Sequence, residues 1–262
     1  MDETLTADLL GELMKLAVAA THSVSELILS GFRSPTLKWE HKPDGSVVTP
    51  FDLESERRIR AFIEAEQAHP WPVLGEELGG DARGSRYHWI VDPIDGTLPF
   101  SRGLATFGTL LALEDTIARH AVVGVVNLPA LGETYSAARG AGAWCGRERL
   151  KVAPTRALKD CIVSAPVERY PQMTARAAGP LPHLRCFADC YAHAMVARGS
   201  LDALAEFRLA RWDIAASQVL IEEAGGTVRI AAAATPGKWD LILGSPDAAS
   251  AVAHLVDFPE PP

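Results

Sequence analysis

Basic clusters are missing from this chain. Its 262 residues carry 25 lysines and arginines against 33 aspartates and glutamates, a net charge of −8, with no block of positive residues. That argues against nucleic acid as the main partner. It also means that an anionic substrate must meet local positive charge, most simply bound cations. Cysteine is scarce too. Cys145, Cys161, Cys186 and Cys190 form no Cys-x-x-Cys pair and read as reduced thiols of a cytoplasmic protein. The eight histidines show neither His-x-His nor His-Glu-x-x-His spacing, so zinc is not expected and any metal should be bound through oxygen. No apolar run approaches the ~20 residues that span a bilayer. Met1-Asp2-Glu3-Thr4 lacks the basic start of a signal peptide, so no membrane partner is expected.

What is present suits one large domain or two coupled layers. Apolar residues from Leu9 to Ile28 recur at three and four, predicting one amphipathic helix from about Thr6 to Phe32. Asp44-Gly45 signals a hairpin within 38–46. Thr49 as N-cap, Pro50 at the first helical position and Asp52 three beyond the cap open a second helix, running to about Ala68. Short strands follow at Trp71 to Gly75, Phe107 to Leu113, Val122 to Asn127 and Glu133 to Ala137. From about Lys151 strands and helices alternate: strands at Ile162 to Ala165, Asp202 to Phe207, Val228 to Ile230 and Leu241 to Leu243, helices at Cys190 to Arg198 and Ile214 to Glu223. Ala231 to Lys238 reads as a loop. The pattern predicts an α+β part over 1–150 and an α/β part over 151–262.

The densest chemistry lies in Trp89-Ile90-Val91-Asp92-Pro93-Ile94-Asp95-Gly96-Thr97. An apolar, β-prone run leads into Asp92, and Pro93 should end strand pairing there. Asp92 and Asp95 can converge across the turn, with the Ile94 carbonyl as a third hard ligand. Gly96 permits a backbone path that a Cβ would forbid. A helix starting after Thr97 would present free N–H groups to an anion. Alone, the segment reads equally well as an exposed Asp-Gly turn. Further acids stand at element ends: Asp52, Glu76 and Asp213. Each also has a plain reading, Asp52 as a capping-box acid and Asp213 as a charge at a helix start.

Taken together, Val48-Thr49-Pro50-Phe51-Asp52 with Glu56, Gly75-Glu76-Glu77, Asp92 to Thr97, and Trp212-Asp213-Ile214-Ala215-Ala216 followed by Glu223-Ala224-Gly225-Gly226 resemble the inositol monophosphatase family of magnesium-dependent, lithium-sensitive phosphatases. The resemblance covers nearly the whole chain. It implies an αβαβα sandwich of the inositol monophosphatase and fructose-1,6-bisphosphatase type, and a homodimer. It places a first Mg²⁺ on Glu76, Asp92 and the Ile94 carbonyl, a second on Asp92, Asp95 and Asp213, and a third, weaker ion near Glu76. Gly96 and Thr97 would offer N–H groups to phosphate. The implied reaction is direct hydrolysis without a phosphoenzyme, by a metal-activated water aimed by the Asp52–Thr97 pair.

Within the family the chain looks closest to the histidinol-phosphate phosphatase branch, on Lys42-Pro43-Asp44-Gly45-Ser46-Val47-Val48-Thr49, Phe100-Ser101-Arg102-Gly103, Pro129-Ala130-Leu131-Gly132-Glu133 and Asp189-Cys190-Tyr191. A cationic substrate amine or imidazole would favour carboxylates, and Asp189 and Glu206 are the candidates. Glu206 also fits the inositol-binding position of the parent family, so inositol 1-phosphate is the second substrate and a nucleotide or sugar phosphate the third. Pro99, His193, Arg208 and Arg211 depart from the family pattern. If either arginine faced the pocket, a second phosphate on the substrate would fit. Two non-enzyme readings, a partner of the transcription machinery and a Ca²⁺-binding structural module, are disfavoured. The complete ligand set speaks against the first, and the missing acidic loop of the EF-hand kind against the second.

Overall fold

The computed structural model describes residues 5–259; the expectation drawn from Met1-Asp2-Glu3-Thr4 lies outside them. Two sheets and three helical layers alternate. The first layer holds α1 (Ala7–His22), α2 (Ser25–Gly31) and α3 (Pro50–Glu66), with a small hairpin of β1 (Glu40–His41) and β2 (Val47–Val48) between α2 and α3. The first sheet has seven strands in sequential order: β3 (Val73–Gly75), β4 (Tyr87–Asp95), β5 (Gly108–Asp115), β6 (His120–Leu128), β7 (Glu133–Ala138), β8 (Gly142–Cys145) and β9 (Glu148–Arg149). Only β3 and β4 run parallel. A one-turn helix, α4 (Thr97–Ser101), follows β4. The second sheet is ordered β11-β10-β12-β14-β13, from β10 (Ile162–Ser164), β11 (His183–Arg185), β12 (Ala203–Leu209), β13 (Thr227–Ala232) and β14 (Trp239–Gly244). Helices α6 (Asp189–Ala197) and α7 (Arg211–Glu223) lie between the sheets, and α5 (Tyr170–Arg176) and α8 (Pro246–Val256) close the outer face.

Three apolar cores follow from this layering. Alternate residues of each strand face opposite ways. Trp89 and Val91 therefore join Leu13, Ala17, Ile28, Ile59 and Ile63 of the first helical layer. Ile90, Leu110 and Val126 face the other way, onto Ile214, Val219 and Leu220 of α7, with Leu204 and Leu243 of the second sheet beyond. Val163, Ala205 and Ile242 meet Ala249 and Val252 of α8. The αβαβα expectation is borne out. The sequential, hairpin-joined strands of the first sheet and the parallel β10–β12 crossover of the second give the two halves their different character.

Three local differences have physical causes. The single helix expected from Thr6 to Phe32 breaks at Ser23 and Val24, where the hydroxyls of Thr21, Ser23 and Ser25 bond to the carbonyls of Val18, Ala20 and Thr21 and compete with the helical ladder. Counted through that break, Ala7–Gly31 is long and apolar enough, by length and composition only, to cross a membrane; in this fold its apolar face covers the first sheet. Strand β4 does not stop at Asp92 but runs through Pro93 to Asp95. Its register slips there, Asp92 pairing Leu110 and Asp95 pairing Gly108, so three steps on β4 match two on β5. Pro93 thus marks a bulge rather than an end. Finally, α5, α8 and β11 are not foreseen from the sequence, being short or masked by an alanine-rich pattern, whereas the turns around β8 and β9 fall at the hairpin glycines Gly140, Gly142 and Gly146.

Helix α7 packs so closely on the first sheet that a Cβ at Gly124 of β6 would lie 2.4 Å from the Ala216 carbonyl and 2.6 Å from Val219. Gly124→Ala is expected to cost about 1–3 kcal/mol, read as a lowered Tm; an unchanged Tm would refute this contact.

Candidate active site

The bulge in β4 decides the geometry. In a regular strand, residues three apart face opposite sides. The extra residue at Pro93 turns Asp95 back to the side of Asp92, and α7 brings Asp213 to meet them. One ligand atom from each of these carboxylates lies within 4.8 Å of the others. The three are buried or nearly so, and among the described residues none forms an ion pair with a lysine or arginine. Burial, then the neighbouring negative charges, push Asp92 and Asp95 well above the ordinary carboxylate range, and Asp213 up to about 6.

Asp95 and Asp213 are each held by one oxygen and offer the other. Asp95 Oδ2 accepts the Cys190 N–H at the start of α6. Asp213 Oδ2 accepts the Ala210 N–H at 2.7 Å, capping α7. Asp92 Oδ1 is fully buried with no hydrogen-bond partner among the described residues. A buried, unpartnered carboxylate oxygen beside two others is a donor set for a hard divalent cation such as Mg²⁺. The residues present therefore fit the metal that the sequence reading expects.

Asp52 approaches from α3. Its Oδ2 takes the Thr49 N–H at 2.8 Å and the Thr49 hydroxyl at 2.5 Å, completing the capping box, and Oδ1 lies 2.9 Å from Thr97 Oγ1. The Asp52–Thr97 pair is thus formed. Thr97 Oγ1 also lies 2.8 Å from the Ile94 carbonyl. It has one proton for two acceptors, and its lone pairs remain free to receive a water. Burial pushes Asp52 up to about 6, against hydrogen bonds from Thr49 and Thr97 that pull it down. Gly96 has φ +79°, and a Cβ there would sit 3.1 Å from the Thr106 carbonyl, so only glycine makes this turn cheaply. The helix after it, α4, is five residues long, and Pro99 in its first turn has no N–H, which limits the anion site to the first amides.

Glu76 borders the same cavity but is turned toward a residue the sequence reading gave no role. Lys42, on the β1–β2 hairpin, places Nζ 2.7 Å from Glu76 Oε1 and 2.6 Å from Glu77 Oε1. Glu56, quoted only as part of a motif, is wholly buried. It accepts the Glu77 N–H at 2.8 Å and the Leu78 N–H at 3.2 Å, and pairs with Arg60. Gly75 must be glycine because a Cβ would fall 1.9 Å from Glu56 Oε1. The i,i+4 spacing of Glu56 and Arg60 was the available signal for this anchor.

The cavity has a volume of about 330 Å³ and opens beyond the three aspartates onto Asp189, His193, Glu206 and Leu209, with Ser46, Leu98 and Pro99 at its rim. Both substrate-side candidates are therefore brought to it, in different states. Glu206 is engaged: Oε1 accepts the Asp189 N–H at 2.9 Å and Oε2 lies 2.6 Å from His193 Nε2. Among the described residues, no hydrogen-bond donor reaches the carboxylate of Asp189. Burial and the adjacent Glu206 push Asp189 upward. Its backbone is left-handed, φ 60°, a conformation aspartate tolerates better than most residues. Neither arginine faces the cavity. Arg211 binds Glu114, with Nε at 2.8 Å, and Gln218 at 3.0 Å. Arg208 is exposed and lines a separate cleft with Arg169 and Phe207. The argument for a second substrate phosphate loses its cation.

Comparison with known proteins agrees with this geometry. The model of the inositol monophosphatase family matches residues 9–258. A histidinol-phosphatase of Streptomyces coelicolor is 34% identical over 227 residues, covering 82% of this chain and 85% of its own. A fructose-1,6-bisphosphatase/inositol-1-monophosphatase of Aquifex aeolicus is 31% identical over 220 residues, covering 79% and 80%. Among solved structures, the extragenic suppressor protein suhB from Bartonella henselae gives a TM-score of 0.82 at 26% identity, over 95% of this chain and 100% of that one.

Two substitutions test the site. Asp92→Asn should abolish divalent-cation-dependent phosphate release while circular dichroism and Tm stay near wild type; substantial turnover would remove Asp92 from the metal site. Thr97→Val should lower kcat by about 10²-fold or more, with Thr97→Ser retaining most of it; equal losses in both would show that the hydroxyl is not what matters.

Proposed function

The chain belongs to the inositol monophosphatase family, and from that premise we propose that it is a Mg²⁺-dependent phosphomonoesterase whose substrate is histidinol phosphate. The observation that supports this substrate is the half-buried carboxylate of Asp189 on the cavity wall, which no hydrogen-bond donor among the described residues reaches and where a cationic alcohol would find its counter-charge. Histidinol carries an amine and an imidazole; inositol carries neither.

In this reading Asp92, Asp95, Asp213 and the Ile94 carbonyl hold the metal ions, with Glu76 as a further ligand once its pairing with Lys42 is given up. Bound Mg²⁺ would supply Lewis acidity, phosphate orientation and an activated water. The protein's own groups do the rest. Asp52 orders the Thr97 hydroxyl, which orients the attacking water; Asp52, with two donors on its other oxygen, serves as an orienting group rather than a strong base. The Gly96 and Thr97 amides face the phosphate. The backbone bonds to Asp95 and Asp213 fix those carboxylates before substrate arrives, so little reorganisation accompanies the reaction.

Inositol 1-phosphate is the second reading, favoured by Glu206 on the same wall. Phosphate release from L-histidinol phosphate and myo-inositol 1-phosphate, each with and without Mg²⁺ and with added Li⁺, separates the two. We expect a kcat/KM for histidinol phosphate at least tenfold above that for inositol 1-phosphate, as one well-placed charged contact is worth about 1.5–3 kcal/mol. Equal, weak turnover of both would overturn the substrate assignment and leave the phosphatase reading standing.

A further inference from the structure

We propose that His193 sets the substrate specificity of this cavity: it occupies Glu206 and leaves Asp189 as the free carboxylate on the leaving-group wall, which favours cationic alcohols over polyols. The proposal rests on the phosphomonoesterase reading above.

His193 stands one turn into α6, 1% exposed, on the cavity wall. Its Nε2 lies 2.6 Å from Glu206 Oε2, and its Nδ1 lies 2.7 Å from the hydroxyl of Ser217 on α7. An ionised carboxylate only accepts, so Nε2 carries the proton. Nδ1 shares the remaining contact with the Ser217 hydroxyl, so both ring nitrogens are engaged. The order serine, histidine, acid matches a nucleophile relay, but Ser217 is wholly buried and does not border the cavity, so it has nothing to attack. The trio is a clamp on Glu206.

The clamp acts on both carboxylates. A polyol is gripped best by a carboxylate that offers two oxygens to neighbouring hydroxyls. Here one Glu206 oxygen holds His193 and the other holds the Asp189 amide. That second bond fixes the left-handed residue whose own carboxylate reaches toward Gly96, its Oδ2 3.4 Å from where a Cβ on Gly96 would stand. Val47, Leu98, Pro99 and Leu209 make up much of the remaining wall and offer no side-chain donor. A polyol hydroxyl can hydrogen-bond to the half-buried Asp189 but leaves its negative charge uncompensated, whereas an ammonium or imidazolium neutralises it.

The test compares three esters across variants: L-histidinol phosphate, myo-inositol 1-phosphate and p-nitrophenyl phosphate, which has neither cation nor polyol. His193→Leu keeps the bulk and removes the donor. We expect its inositol-to-p-nitrophenyl ratio of kcat/KM to rise about tenfold, and His193→Gln, which retains an N–H donor, to stay near the wild-type ratio. Asp189→Asn should lower the histidinol-to-p-nitrophenyl ratio about tenfold or more; this arm reads the same wall if His193→Leu does not fold. Ratios unmoved in folded, active variants would overturn the proposal alone. A wild-type protein silent on all three esters with Mg²⁺ would overturn the phosphatase reading, and this proposal with it.

Discussion

Mutual repulsion among Asp92, Asp95 and Asp213 is the constraint around which the rest of the molecule is arranged. Three carboxylates brought within 4.8 Å of one another oppose folding unless something holds them. Backbone amides at the starts of two helices do part of that work, Cys190 for Asp95 and Ala210 for Asp213. The apolar core between the sheets does the remainder by clamping α7 against β5 and β6. A divalent cation converts that repulsion into attraction, which is why a donor set that is costly to assemble is also a strong metal site.

The layering gives each functional group a separate support. Asp52 comes from the outer helices, Asp92 and Asp95 from the first sheet, Asp213 and His193 from the central helices and Glu206 from the second sheet. The site is therefore not a loop excursion but the place where four layers meet. Its smallest members are the one-turn α4 and the β1–β2 hairpin, whose Lys42 reaches Glu76 and Glu77.

Much of this was legible in the sequence, and unevenly. The helix start at Thr49-Pro50 and the Asp92 to Thr97 turn are local, so residue order suffices to see them. Asp213 was legible as an acid at a helix start, and its meeting with Asp92 only through resemblance to a family. The bulge at Pro93 was read as a strand end because proline removes a donor; that β5 continues alongside depends on a partner strand the local pattern does not reveal. The Lys42, Glu56 and His193 contacts span 34, 21 and 13 residues, and no spacing rule encodes such pairs. Glu206 looked available because its partner lies on a neighbouring helix. The histidine that engages it was visible only as a departure from the family pattern.

Two consecutive amides at the start of α6 serve opposite sides of one cavity: Asp189 donates to Glu206, and Cys190 to Asp95 of the carboxylate cluster. A backbone shift that remodelled the Glu206 wall would drag Asp95 with it. The main chain thus couples the two sides of the cavity, and only side chains uncouple them. A change at a side chain such as His193 would instead alter one wall of the cavity and leave the main-chain bond to Asp95 where it was.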